Sequence, residues 1–255
     1  MNMDDFAADP SHPRYDSLLK RHMLESAAQK GMLAGSALIA HGRGEAYDYL
    51  IGEQTIDTAM NATKQALYQL KTAKNPVISV NGNTTALAGE DLMRLASHLN
   101  CPIEVNIFYR TPKRMTVLLE HLQQINQKLE LNVEILGALP DARIPGLEGP
   151  RAKCCHDGIF SSDVILVPLE DGDRCEALVA MGKTVIVVDL NPLSRSAKMG
   201  SITIVDEISR VAKNLISIIE NEEEVSQLPF DNEKNLQLVL EHINQSLTEL
   251  TKLTE

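Results

Sequence analysis

Apolar runs of strand length alternate with longer stretches of helical periodicity along most of the chain. The runs predict β-strands at Ala37–Ala40, Val77–Val80, Pro102–Phe108, Val133–Leu136, Val164–Leu169, Thr184–Leu190 and Ile202–Val205. The last four are predominantly apolar, as strands are when a mostly parallel sheet is covered by helices on both faces. We therefore predict an α/β fold whose ligands bind beyond the carboxyl ends of the strands.

Helical periodicity fills the intervals between these strands. It predicts helices over about Pro13–Gly31, Thr55–Lys74, Leu87–Leu99 and Asn232–Leu253, and another that begins at Thr111-Pro112. The helix after Thr111 carries an apolar stripe at helical spacing, which we interpret as core. The stripe consists of Met115, Leu118, Leu119, Leu122, Ile125 and Leu129.

A polar run from Glu220 to Glu224 is predicted to be a solvated connector that leads to the final helix. One side of that helix carries Leu236, Val239, Leu240, Ile243, Leu247 and Leu250. This stripe could pack on its own domain or on a second subunit. At roughly 100–200 residues per domain, 255 residues form one large domain or two small ones. We expect one domain over 1–255, with 222–255 as connector and C-terminal helix.

Composition and charge narrow the classes of function. Apolar residues make up 44% of the chain and charged residues 23%, which is enough apolar material for a sizeable core. The formal net charge of −11 works against nonspecific binding to nucleic acids and to anionic membranes. No apolar run approaches the roughly 18 residues that span a bilayer, and the acidic N-terminus differs from a signal peptide. We expect a cytoplasmic protein that captures anionic ligands through local arginines.

The cysteines do not indicate a metal site. Cys101, Cys154, Cys155 and Cys175 lack C-x-x-C spacing, and a vicinal pair is a poor metal-binding unit without a second pair nearby. We interpret all four as reduced thiols. The sequence also lacks Trp, which leaves few aromatic platforms for stacking nucleic-acid bases.

Candidate chemistry lies in loops that follow predicted strands. In His41-Gly42-Arg43-Gly44, two glycines let backbone N–H groups approach an anion while Arg43 supplies positive charge. The segment Asn81-Gly82-Asn83-Thr84-Thr85 offers hydroxyls and a helix N-terminus to a carboxylate or phosphate, or is an ordinary turn with a Thr cap. Arg110 follows the next strand and would point into the same crevice.

Two later loops carry stronger signals. Glu170, Asp171 and Asp173 follow a fully apolar strand and could hold either a divalent cation or an ammonium group. After the next strand, Asp189 could accept hydrogen bonds from a ribose, and Arg195 with Ser196 could donate to a phosphate. Each cluster could also be turn or capping chemistry, but two clusters at adjacent strand ends favour a site.

Familiar nucleotide and hydrolase motifs do not occur in the sequence. A dinucleotide fingerprint would need glycine where Tyr47 stands, and a P-loop ending in Gly182-Lys183-Thr184 would need glycine where Ala177 stands. Gly182 is instead predicted to end a helix. No Gly-x-Ser-x-Gly or His-Glu-x-x-His motif occurs, so hydrolase functions lose support.

Seven segments together resemble the archaeal 4-phosphopantoate–β-alanine ligase family, also called phosphopantothenate synthetases. They are Ser11–Tyr15, Gly42–Glu53, Val77–Asn83, Phe108–Thr111, Arg143–Glu148, Val167–Arg174 and Asp189–Ala197. The resemblance implies a Rossmann-like fold, a homodimer and an enzyme of coenzyme A biosynthesis. Such an enzyme joins 4-phosphopantoate to β-alanine and converts ATP to AMP and diphosphate, and we expect it to use Mg²⁺.

The resemblance also implies roles for individual residues. Nucleotide contacts would come from Arg21, Arg43, Asp189, Leu190, Asn191, Arg195, Ser196, Glu207 and Ile208. We assign substrate contacts to Asn81, Gly82, Asn83, Thr84 and Arg110.

An amide ligase that releases AMP is expected to adenylate the carboxylate first. This route needs positive charge near the developing pyrophosphate and an acidic pocket for the incoming amine. Arg43, Arg110 and Arg195 fit the first need. Asp171 and Asp173 fit the second, or they hold Mg²⁺.

Two other classes of function stay open at this point. A regulatory module that binds ATP or AMP without turnover would use the same loops, and formation of AMP from the three substrates would distinguish an enzyme from it. A structural protein with a dimerising C-terminal helix would leave the arginines and carboxylates at strand ends unexplained.

Overall fold

The computed structural model describes residues 8–169 and 171–252 of the chain. Its strands are β1 (Pro76–Val80), β2 (Ile103–Val105), β3 (Ile135–Leu136), β4 (Ala142–Arg143), β5 (Lys153–Cys154), β6 (Val164–Pro168), β7 (Thr184–Val188) and β8 (Ile202–Ile204). Its helices are α1 (Tyr15–Gln29), α2 (Gly35–Leu50), α3 (Asp57–Thr72), α4 (Gly82–Leu99), α5 (Pro112–Lys128), α6 (Gly172–Ala180), α7 (Arg195–Met199), α8 (Ile208–Glu220) and α9 (Asn232–Lys252).

Within these residues, six strands form one parallel sheet in the order β3–β2–β1–β6–β7–β8. The chain winds outward from β1 to β3, crosses to β6 beside β1, and winds outward again to β8. The direction of winding therefore reverses between β1 and β6. In sheets of this kind, ligands bind in the crevice outside the carboxyl ends of the strands at the reversal.

Apolar side chains pack on both faces of the sheet. In β6, Leu166 belongs to a large cluster shared with α3, α4, α5 and α8. Its neighbours Ile165 and Val167 belong to a smaller cluster with Cys175 and Leu178 of α6. Because successive strand residues point to opposite faces, this alternation places helices on each side. The predicted Rossmann-like α/β fold is confirmed.

The apolar stripe predicted for α5 is also confirmed as core. Thr111 caps the helix by accepting a hydrogen bond from the backbone N–H of Arg114. Four residues of the stripe are buried, and Leu119 and Leu129 are partly buried against the same cluster. The buried residues are Met115, Leu118, Leu122 and Ile125.

The segment after α1 contradicts the prediction. Ala37–Ala40, predicted as a strand, lies in α2, and Gly42-Arg43-Gly44 lies in the middle of that helix instead of in a loop. A short apolar run does not distinguish strand from helix by periodicity alone. Leu38 and Ile39 are 41% and 69% exposed. The apolar run therefore lies on the solvent-facing side of α2 and does not form a buried strand.

The C-terminal helix α9 covers the β8 edge of the sheet. The N–H of Thr203 in β8 donates to Asn232 Oδ1, and Asn235 Nδ2 donates to the Thr203 carbonyl. Leu236, Val239 and Ile243 of α9 are buried in the large cluster. The first part of the C-terminal helix therefore packs on its own chain.

The rest of the α9 stripe behaves differently. Leu240 is partly buried, Leu247 is 47% exposed, and the side chain of Leu250 lies outside the described part, as does Leu253. No helix in residues 8–169 or 171–252 is long and apolar enough to cross a bilayer.

The stripe on α5 generates a test of the core. Leu122→Ala should lower the free energy of unfolding by about 2–5 kcal/mol, because it removes a fully buried side chain and leaves a cavity. Leu247→Ala is the matched control, and its effect should stay within about 0.5 kcal/mol because Leu247 is largely exposed. Urea denaturation followed by circular dichroism measures both. Equal destabilisation of the two variants would contradict the assignment of the core.

Candidate functional site

A cavity of about 850 Å³ opens at the carboxyl ends of the parallel strands. Its walls come from α1, α2, the starts of α4 and α8, and the segments that follow β1, β2, β6 and β7. Eleven of the residues predicted for the site line it. They are Arg43, Asn81, Gly82, Asn83, Asp171, Asp189, Leu190, Asn191, Ser196, Glu207 and Ile208.

Asn81 occupies the point where the winding of the sheet reverses. Its Nδ2 donates to the carbonyl oxygens of Pro168 and Leu169, at 3.2 and 3.0 Å, and so joins the end of β1 to the end of β6. Its Oδ1 accepts from the N–H of Thr84 at 3.1 Å and caps α4. The predicted turn at 81–85 is thus the first turn of a helix, capped by Asn81 and not by Thr.

Gly82 follows directly and packs against the segment between α1 and α2. A Cβ atom at this position would lie 2.7 Å from the carbonyl oxygen of Met32 and 3.5 Å from Arg114 Nη2. Only glycine accommodates this approach without a shift of the backbone. The start of α4, which favours negative charge, is thereby held against the cavity wall.

The side of the cavity near β7 is built around Asp189. This carboxylate accepts hydrogen bonds from the N–H of Asn191 at 2.9 Å and from Ser194 Oγ at 2.5 Å. Burial raises the pKa of Asp189, and these hydrogen bonds oppose the shift. Ser194 also caps α7 through the N–H of Ala197. The end of β7 therefore carries a carboxylate whose orientation is fixed by hydrogen bonds, next to the start of the short helix α7.

Glu207 closes the same side of the cavity. It caps α8 by accepting from the N–H groups of Ser209 and Arg210, and its carboxylate lies 2.9 Å from Lys20 Nζ. Burial alone would raise the pKa of Glu207, but Lys20 and the Ser209 hydrogen bonds outweigh it and leave the pKa lowered. Lys20, which the sequence analysis did not select, also lines the cavity.

Two predicted residues, Arg21 and Thr84, do not line the cavity but contact residues that do. Arg21 pairs with Glu45 at 2.8 Å, and Glu45 lines the cavity. The hydroxyl of Thr84 is buried and lies 3.2 Å from Asn81 Oδ1 and 3.3 Å from the Pro168 carbonyl. Both residues hold neighbours in position.

Three other predicted residues, Arg110, Asp173 and Arg195, are not among the residues that line the cavity. Arg110 donates to the carbonyl of Gly137. Arg195 is exposed and pairs with Asp173 and Glu176. Their expected roles stay predictions, and Glu170 lies outside the described residues.

The sequence analysis also missed two arginines that line the cavity. Arg151 comes from a 3₁₀ turn before β5, donates to Asn106 and pairs with Asp171 at 3.1 Å. Arg114 is the third residue of α5. Thr111-Pro112 predicted the helix N-terminus, but nothing local indicated that Arg114 turns towards the crevice. Arg151 follows no parallel strand, so the strand-end rule did not reach it.

All four cysteines are buried, and no disulfide joins them. Burial raises the pKa of Cys101 and Cys154 to about 12 and that of Cys155 to about 11, and none of the four lines the cavity. Among the described residues, no group of three or more His, Cys, Asp or Glu side chains could hold a metal ion.

These thiols give a measurable expectation. At pH 8 a thiol with a raised pKa is almost entirely protonated, and the thiolate is the reactive form. We expect Ellman's reagent to react slowly with the native protein and rapidly with four thiols in the denatured chain. A rapidly reacting thiol in the native protein would contradict the burial of the cysteines.

The fold and the candidate site together define the class of protein to which the chain belongs. The chain is an α/β protein with a crevice at the reversal of a parallel sheet, where helix N-termini, basic side chains and a strand-end aspartate converge, an arrangement suited to anionic ligands.

Comparison with known proteins identifies the family. The sequence model of the protein family described as "Phosphopantothenate/pantothenate synthetase" matches residues 58–246 of the chain. The chain is 49% identical over 249 residues to a protein of Thermococcus kodakarensis named 4-phosphopantoate--beta-alanine ligase, covering 95% of this chain and 94% of that protein. A Methanosarcina mazei protein of the same name is 44% identical over 243 residues, covering 92% and 94%. The chain belongs to the phosphopantothenate/pantothenate synthetase family and is an enzyme, which confirms the resemblance.

Proposed function

We propose that this enzyme joins 4-phosphopantoate to β-alanine, forms 4′-phosphopantothenate in coenzyme A biosynthesis, and converts ATP to AMP and diphosphate. The relatives named above carry the name of this ligase. The observation that carries the proposal is that one cavity joins the Asp189 side of the sheet to the Asn83 side. We assign the activity to the chain as one domain, with 222–255 as connector and C-terminal helix.

The side near β7 suits a nucleotide. Asp189 stands at the end of a parallel strand, where a carboxylate can accept hydrogen bonds from ribose hydroxyls. Ser196 and Arg43 line the same cavity and can donate to phosphates. We propose that ATP binds here, with Leu190, Asn191, Glu207 and Ile208 around it.

Arg21 and Arg195 would contribute to ATP binding by exchanging partners. The Arg195 ion pairs are exposed, and exposed pairs contribute little to stability because water and salt screen them. A nucleotide phosphate could therefore replace Asp173 and Glu176 at small cost. Arg21 is also partly exposed in its pair with Glu45.

The proposed reaction proceeds in two steps. A carboxylate oxygen of 4-phosphopantoate attacks the α-phosphorus of ATP, diphosphate leaves, and an acyl-adenylate forms. The ammonium group of β-alanine gives a proton to water, the resulting amine attacks the acyl carbon, the bond from that carbon to the AMP oxygen breaks, and AMP leaves. Arg43 offsets the charge of the departing diphosphate, and Asp171 is the carboxylate that we assign to the ammonium group.

Mg²⁺ is part of this proposal as a companion of ATP. Such ions are usually held by one or two protein carboxylates together with phosphate oxygens and water. Asp171 lines the cavity and its side chain is 45% exposed, so it fits that limited donor set as the alternative to its contact with the ammonium group. When bound, the ion would neutralise phosphate charge.

The products and the fate of an isotope test the proposed reaction. With ATP, β-alanine and 4-phosphopantoate labelled with ¹⁸O in its carboxylate, we expect AMP that carries one labelled oxygen and unlabelled diphosphate. Leaving out β-alanine should stop net turnover, which serves as the control. Mass spectrometry of the nucleotide measures the label.

Other outcomes lead to different conclusions. ADP with labelled inorganic phosphate would contradict the acyl-adenylate and indicate an acyl phosphate. Binding of ATP with no AMP formed from any combination of the three substrates would overturn the ligase function and support a regulatory module.

We also propose that the enzyme is a homodimer that uses the outward face of α2. Six exposed residues at helical spacing share this face: Gly35, Leu38, Ile39, Gly42, Ala46 and Tyr49. A Cβ atom at either glycine would meet nothing within 4 Å, so a second copy could approach the helix closely. Because Arg43 lies in the same helix and lines the cavity, the interface would border the active site.

An aspartate on this face should separate the subunits. We expect the wild type to sediment at twice the mass of one chain and Ile39→Asp to sediment as a monomer, because a buried unpaired charge is costly. Leu247→Asp, on α9, is the matched control and should stay dimeric. Dissociation of the Leu247→Asp variant instead would place the interface on the C-terminal helix.

A further inference from the structure

Arg114 is a half-buried cation in the cavity wall that forms no ion pair among the described residues. Nη1 donates to the Tyr109 carbonyl at 2.7 Å and Nη2 to the Met32 carbonyl at 3.1 Å. Its Nε–H is buried and has no partner in residues 8–169 and 171–252. A half-buried cation that contacts only neutral carbonyls is incompletely compensated, so this geometry favours an anionic ligand.

The other basic residues of the cavity differ from Arg114. Lys20 lies 2.9 Å from a Glu207 carboxylate oxygen, and Arg151 lies 3.1 Å from Asp171. Arg43 is exposed to solvent. Burial lowers the pKa of Arg114, as expected where no carboxylate lies nearby. Within the described cavity wall, Arg114 is thus the basic group that most needs an external counter-charge.

A second polar atom without a partner among the described residues belongs to Asn83, which lines the same cavity as Arg114. Asn83 is buried; its Nδ2 donates to the Ala37 carbonyl at 2.9 Å, and its Oδ1 has no partner among the described residues. Asn83 follows Gly82, whose added Cβ would lie 3.5 Å from Arg114 Nη2. The same part of the wall therefore offers one unused donor and one unused acceptor. A ligand that satisfies both must carry an anionic group and a hydrogen-bond donor.

Of the three proposed substrates, 4-phosphopantoate matches this pair best. It carries a dianionic phosphoryl group at one end, a carboxylate at the other, and a hydroxyl between them. Arg114 lies at the start of α5, which follows β2, and three strand spacings, about 14 Å, separate β2 from β7. The carboxylate must reach the nucleotide near β7, so the phosphoryl group is the end that lies towards Arg114.

We propose that Arg114 binds the phosphoryl group of 4-phosphopantoate and makes the enzyme select this substrate over pantoate, while Asn83 Oδ1 accepts a hydrogen bond from its hydroxyl. This inference rests on the proposed ligase function. The two main-chain carbonyls hold the guanidinium in place before the substrate arrives, which reduces the entropy lost on binding. Without the phosphoryl group the buried guanidinium stays unsatisfied, so pantoate should be a poor substrate.

The test compares kcat/KM for 4-phosphopantoate and pantoate at saturating ATP and β-alanine. In Arg114→Gln, the ratio of the two values should fall about 10- to 100-fold, the loss expected for a hydrogen bond between charged groups. The KM values for ATP and β-alanine should not change. Lys113→Gln, a neighbouring exposed residue, is the matched control and should keep the wild-type ratio.

The ratio is measured within one preparation, so a partly unfolded fraction cancels. Arg114→Lys keeps the charge but lacks the planar fork, and it should give an intermediate ratio. If Arg114→Gln does not fold, Arg114→Lys decides, and a wild-type ratio in that variant overturns the inference.

The remaining outcomes separate this inference from the proposed function. An unchanged ratio in folded Arg114→Gln, or a rise in the KM for β-alanine instead, would overturn the role of Arg114 and leave the ligase function standing. A wild-type enzyme that makes no AMP from either substrate would overturn the ligase function itself.

Discussion

The hydrogen bonds of Asn81 are the constraint on which the site depends. One side-chain amide joins the end of β1 to the end of β6 and caps α4 at the same time. These two strands belong to opposite halves of the winding, so a local contact aligns segments about 87 residues apart in the chain. The start of α4 and the segment that leads from β6 to α6 are both fixed at this junction, and both contribute residues to the crevice.

The electrostatics of the crevice follow from the same arrangement. A chain with a net charge of −11 has to concentrate positive charge locally if it is to bind anions. It does so with basic side chains from elements far apart in sequence, namely Lys20 in α1, Arg43 in α2, Arg114 in α5 and Arg151 in a turn. Some of these are balanced by carboxylates and some are not. That difference separates residues that hold the wall together from residues available to a ligand.

Much of the fold was predictable because the buried parallel strands are predominantly apolar, and because helix caps such as Thr111-Pro112 are local signals. The α2 segment was not, since Ala37–Ala40 has the same composition as a strand and its exposure depends on tertiary packing. For the site, the strand-end rule located Asp189 and Asn83. It could not reach Arg114 or Arg151, whose orientation is decided by long-range contacts with Met32 and Asn106.

The two edges of the sheet limit how copies of this chain can associate. At one edge, β3 is only two residues long, and at the other, the asparagine side chains of α9 occupy main-chain groups of β8. Neither edge offers a long row of free N–H and C=O groups to an incoming strand, which is the usual route to fibrous aggregation. The strongly apolar sheet is therefore protected at its edges from pairing with another chain, and the proposed contact between subunits is left to a helix face.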